Sequence, residues 1–175
     1  TKTYGISSPT SSSANYTSST SGSAVTYNIS KTGSYGTLYI ESATGNYLYV
    51  ADAAAVNAIP FGTNPSDSFS VTVSDGIATT SQTYTINLTG ANDAPTLAAV
   101  TAGSVADAQN AATLGSSANL YGTLSGSDVD TGNTKTYGIS SPTSSSANYT
   151  SSTSGSAVTY NISKTGSYGT LYIES

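Results

Sequence analysis

The chain has 175 residues, with nine acidic and four basic side chains for a net charge of −5, and no Cys, Met, Trp or His. Only 7% of residues are charged, against roughly 25% in an average protein, so 34 Ser and 29 Thr must keep the surface wet through hydroxyls. This composition excludes disulfide staples and thiol or imidazole chemistry, and it argues against nucleic acid and anionic membranes as partners.

Residues 2–6 open with Tyr4 and Ile6 alternating with polar neighbours, the period-2 pattern of a half-buried strand. The Ser/Thr-rich stretch 7–23 is too long and too polar for a buried strand and reads as an exposed loop or a weak edge strand. Val25, Tyr27 and Ile29 share one face, residues 31–34 turn the chain, and a strand is expected over 35–40. Residues 42–45 turn into a further strand at 46–50, giving an antiparallel meander crossed by tyrosines. The only helix-like stretch is 52–59, with Asp52 as N-cap and Pro60 as stop. Residues 67–74 place Phe69, Val71 and Val73 on one face, Asp75-Gly76 signals a hairpin, and 82–89 place Tyr84, Ile86 and Leu88 together. Beyond the break at 90–95, strands are expected at 97–100 and 119–125. No apolar run approaches the roughly 18 residues that a membrane span needs.

Residues 134–175 then repeat 1–42 letter for letter, an offset of 133. Solenoid repeats run to roughly 20–50 residues, whereas 133 suits an independently folding domain. The expected fold is all-β: an immunoglobulin-like or cadherin-like β-sandwich in a tandem repeat of 133 residues. Both ends fall beside strand-like runs, so the chain is expected to be a slice of a longer array. On that reading 1–92 is the C-terminal part of one repeat and 93–175 the N-terminal part of the next. Two identical blocks then compete for one sheet position.

Residues 44–95, TGNYLYVADAAAVNAIPFGTNPSDSFSVTVSDGIATTSQTYTINLTGANDAP, resemble the VCBS repeat of giant bacterial surface proteins. That family combines a T-G-x-Y-x-Y hairpin, an Ala-rich turn, a D-x-F-x-V-x-V-x-D-G strand and a closing T-G-x-N-D-A-P, in this order. The run GTLSGSDVDTG at 122–132 is similar to the entry of such repeats and of cadherin-like domains. The Ser-rich stretch 7–23 resembles nothing specific, and the 133-residue period is longer than the usual unit. The resemblance implies a secreted, extracellular protein of the bacterial cell surface. In it such repeats extend an adhesin or contribute to cell adhesion and biofilm, with neighbouring repeats as partners and commonly with calcium.

Asp128 and Asp130, two apart in an extended segment, point their carboxylates to one side, and such oxygen ligands suit calcium. Asp-rich turns also simply end strands. In cadherin-like proteins a linker N-D and a D-x-D loop share calcium, which the resemblance carries to Asn92, Asp93, Asp128 and Asp130. Asp75 is expected to be a turn residue; Glu41 and its copy Glu174 are either solvated or ligands. The 14 tyrosines form cross-strand ladders or, alternatively, a platform for carbohydrate. No enzyme is expected: His and Cys are missing, no G-x-S-x-G elbow occurs, and Asp128 and Asp130 form a carboxylate pair with no aromatic cleft around it.

Overall fold

The computed structural model describes residues 1–20, 23–107, 119–153 and 156–175. They divide into two compact units, Thr1–Asp93 with Val129–Asn133, and Ala94–Asp128 with Thr134–Ser175. Strands make up nearly all the regular structure, in several antiparallel sheets, so the chain is all-β.

In the first unit, β1 (Thr3–Ile6) pairs with β7 (Ser66–Ser74), which pairs with β8 (Thr79–Asn87). A second sheet is the meander β4 (Ile29–Thr32), β5 (Gly36–Ile40) and β6 (Tyr47–Ala51). Between them in sequence, β2 (Tyr16–Thr20) and β3 (Ser23–Tyr27) form a separate hairpin. The edge-strand reading of 7–23 therefore fits 16–20, while residues 21–22 lie outside the described residues. Hydroxyls stabilise this polar hairpin, as where Thr17 and Thr26 hydrogen-bond across it at 3.2 Å.

Period-2 patterning decides which faces meet. Along β5 every second residue is buried, Gly36, Leu38 and Ile40, and the core unites Leu38 and Ile40 with Ile6 of β1 and Phe69 of β7. Tyr4, Ile29, Tyr49, Val71, Tyr84 and Ile86 pack around it, so both three-stranded sheets contribute. Each fully buried side chain of this kind contributes about 1.5–3 kcal/mol. The β7–β8 hairpin keeps unbroken register from Ser66↔Asn87 to Ser74↔Thr79. Helix α1 (Ala53–Asn57) starts where Asp52 caps the amides of Ala54 and Ala55, at 2.9 and 3.2 Å.

The second unit corrects two expectations. The strands read at 97–100 and 119–125 are not formed; instead β9 (Thr96–Leu97) pairs with β10 (Gly126–Ser127). The apolar alternation of those runs is present, but among the described residues of this unit no long strand offers them a ladder. The copied block forms β11 (Tyr149–Thr153) with β12 (Ser156–Tyr160), and β13 (Ile162–Thr165) with β14 (Thr170–Ile173). Residues 136–139, identical to β1, are not a strand here, because β1 owes its ladder to β7.

Candidate functional site

Asn92, Asp93 and Asp130 lie at the open end of the β7–β8 hairpin, beyond the Ser66↔Asn87 pair. Leu88 donates its N–H to the Pro65 carbonyl and Gly90 to that of Thr63, each at 2.9 Å, which sets the chain after β8 against the segment after α1. Thr131 returns to the same end, donating its N–H and its hydroxyl to the Ala58 carbonyl at 3.3 and 3.0 Å. Beside it Asp130 is 3% exposed, and its Oδ2 accepts the Asp93 N–H at 3.0 Å and the Asn133 side-chain amide at 3.3 Å. A buried carboxylate is costly unless donors surround it; here both are supplied from within five residues of Gly90 or Asp130 along the chain.

Three of the four residues singled out in the sequence thus meet in the first unit. Asp93 contributes its backbone amide to Asp130, and the Asn92 side chain donates to the Asp93 carbonyl at 3.1 Å. Asp128 belongs to the second unit, where it lines a shallow pocket with Thr96, Leu97, Lys135 and Tyr137. Calcium takes six to eight oxygens, approximately. Hard oxygen donors of the right kind are present, but among the described residues no three acidic side chains cluster closely enough to form a metal cage. Backbone carbonyls and water would have to complete the shell around Asp130 and Asp93.

The remaining acids have local duties. Asp75 accepts the N–H groups of Ile77 and Ala78 at 2.9 and 2.8 Å, and these bonds hold its carboxyl below the usual range. It is the turn residue of the β7–β8 hairpin. Glu41 accepts from the Thr44 hydroxyl and from Asn46 Nδ2, which lower its pKa in that order and organise the β5–β6 turn. Its copy Glu174 is exposed.

Sequence reasoning marked Asp67 only as the head of a strand. Its carboxylate, 4% exposed, accepts the Ser34 and Tyr35 N–H groups at 2.8 and 3.0 Å and the Tyr49 phenol at 2.7 Å. One side chain therefore ties β7 to the β4–β5 turn and to β6. Gly33 is required beside it, since a Cβ there would lie 2.5 Å from the carboxylate oxygen. Burial first, then the hydrogen bond to Asp67 and its charge, push the Tyr49 phenol above its ordinary value. The available signal was parity: Asp67, Phe69 and Val71 occupy alternate positions of one strand, so they share its inward face.

A second candidate is a groove of about 330 Å³ in the first unit, walled by Tyr4, Ile40, Tyr47, Val71, Val73 and Tyr84 and edged by Thr72, Thr80, Ser81 and Gln82. The Tyr47 and Tyr84 rings meet edge to face at 5.1 Å, and Tyr47 stays largely exposed. Aromatic faces beside hydroxyl and amide groups are chemically suited to a pyranose. Comparison with known protein families, curated proteins and solved structures finds no match to this chain.

Proposed function

We propose that this chain is a structural and adhesive extender module, a VCBS-like repeat with an immunoglobulin-like or cadherin-like β-sandwich fold, from a secreted bacterial surface adhesin. The observation that carries this reading is the letter-for-letter return of 42 residues at an offset of 133 in a chain that is all-β and acidic. A domain-sized period suits units strung in series. Calcium stabilises the first unit through Asp130 and Asp93, beside Asn92, and Asp128 of the second unit is a separate candidate ligand that rests on the resemblance alone. The grouping of Asp130, Asp93 and Asn92 at one end of the first unit supports that assignment.

Thermal melting in calcium and in EDTA tests the metal. A site of about 0.1 mM affinity in about 10 mM calcium adds roughly 2.7 kcal/mol, and Asp130→Asn abolishes the increment. Equal melting of the parent chain in both buffers refutes the assignment.

The Tyr4–Tyr47–Tyr84 groove favours a second reading, a module that itself binds cell-surface or matrix polysaccharide. A glycan array separates the two. An extender binds nothing, whereas a sugar signal that Tyr47→Ala removes establishes the binding module.

A further inference from the structure

An oxidant meeting this chain finds none of the usual sinks. Cys, Met, Trp and His are absent, which leaves the 14 tyrosines as the most easily oxidised side chains. Two of them lie in stacked contact: Tyr16 of β2 and Tyr39 of β5, with ring centroids 4.4 Å apart and planes 23° from parallel. Their copies Tyr149 and Tyr172 stack at 4.3 Å and 17°. Tyr27 is buried and stands 6.4 Å from both Tyr16 and Tyr39, while Tyr47 and Tyr84 meet edge to face at 5.1 Å. Both members of each stacked pair are partly exposed, so an oxidant can reach them.

The block itself holds these rings together. Tyr16 and Tyr27 oppose each other across the β2–β3 hairpin, and along β5 Tyr39 alternates with the buried Leu38 and Ile40, so it faces away from the core. Asn28 fastens the hairpin to the end of β5. Its N–H donates to the Ile40 carbonyl at 3.1 Å, while its side-chain amide donates to the Ser42 hydroxyl and accepts the Ser42 N–H, each at 2.8 Å. Asn161 makes the same three bonds to Ile173 and Ser175. The first block is covered by β6 and β7, and no described residue covers the second in this way, yet the stack forms in both. It does not depend on what packs against the block.

We propose that Tyr16–Tyr39 and Tyr149–Tyr172 are sites of oxidative cross-linking, at which a haem peroxidase using hydrogen peroxide joins each pair as dityrosine. Each phenol gives up one electron and one proton, and the peroxide takes both electrons and both protons to leave two waters. The two phenoxyl radicals combine through the carbons ortho to oxygen. The hydrogen on each of those carbons then moves to its own oxygen, which restores both phenols and leaves the pair two hydrogens lighter. Rings already in contact need only slip and tilt, so proximity favours this coupling over every other pairing. The link ties the hairpin to the meander, as a disulfide would in a chain that had cysteines.

The test oxidises the dilute 175-residue chain with peroxidase and peroxide, and reads dityrosine fluorescence, intact mass and linked peptides. A single-chain product is expected, two hydrogens lighter for each pair joined. Two double variants of equal tyrosine content separate pairing from chance coupling, since Phe keeps the ring and its stacking but removes the phenol. Tyr16→Phe with Tyr39→Phe leaves the second pair whole and should keep that pair's share of the signal. Tyr16→Phe with Tyr172→Phe breaks both pairs and should lose it. Unfolding in urea before oxidation should bring the parent chain down to the same level, and the linked chain should unfold at higher urea than the unlinked one. A parent of unchanged mass overturns the proposal, as does equal signal from the two double variants or a signal that urea leaves intact. Links that join only separate molecules, or that map to Tyr47 and Tyr84 in place of the stacked pairs, overturn it too. A linked chain whose urea midpoint is no higher overturns the tie.

Discussion

Removing the Asp67 carboxylate should cost the first unit more than any other polar substitution. Asp67→Ala strands three donors at once: the backbone N–H groups of Ser34 and Tyr35 and the phenol of Tyr49. A hydrogen bond to a charged group is worth about 1.5–3 kcal/mol. Ser34 is exposed, so water replaces part of the loss there, and a net destabilisation of about 3–5 kcal/mol is expected. Asp67→Asn keeps the shape but turns an NH2 group towards N–H donors, and should cost about 2 kcal/mol. Urea unfolding followed by circular dichroism measures both. A second readout belongs to Tyr49. Unfolded, a phenol loses its proton near 10.0; in the fold burial and Asp67 raise that value. The stabilisation is therefore fully present below pH 10 and is lost as pH rises through the folded value, so the parent chain should weaken in alkali. Asp67→Ala should flatten that decline and bring the phenol titration, read by near-ultraviolet absorbance, back towards the ordinary value. An Asp67→Ala chain within about 0.5 kcal/mol of the parent, the range of neutral surface changes, would refute the clamp.

Leu38→Ala should lower the unfolding free energy by about 2–5 kcal/mol while Leu171→Ala changes it by under about 0.5. Equal effects in urea melts would mean that the two blocks are equally buried. At Gly90 a Cβ would lie 2.1 Å from the Pro60 carbonyl oxygen, so Gly90→Ala should destabilise by about 1–3 kcal/mol. Amide exchange should locate that damage where Gly90 meets Thr63; unaltered protection there would refute it.

Much of the first unit was legible because its signals are local. The β7–β8 hairpin follows from two alternating runs about Asp75-Gly76, the β4–β6 meander from short runs with Gly-containing turns, and α1 from Asp52 and Pro60. Period 2 tells which face of a strand is apolar, yet it names no partner. That is why 97–100 and 119–125 were read as strands and only Thr96–Leu97 and Gly126–Ser127 pair. At the site, spacing brought out Asp128 and Asp130, and the family resemblance added Asn92 and Asp93. Neither revealed that Asp130 is buried against the Asp93 amide, because that contact crosses 37 residues. Asp67 was missed for the same reason, since its donors come from 18 to 33 residues away.

The duplicated block separates what 42 residues encode from what they borrow. In both copies a hydroxyl pair joins the polar hairpin, Thr17–Thr26 and Thr150–Thr159, each at 3.2 Å. In both, a tyrosine of that hairpin stacks on the second strand after it, Tyr16 on Tyr39 of β5 at 4.4 Å and Tyr149 on Tyr172 of β14 at 4.3 Å. The same lysine reaches the same carbonyl, Lys31 to Ser7 and Lys164 to Ser140. All of these contacts close loops within the block and appear wherever the block appears. Burial of Leu38 and the β1 ladder do not, because their partners lie in 47–74. The block is therefore a preformed layer whose covering face comes from β6 and β7.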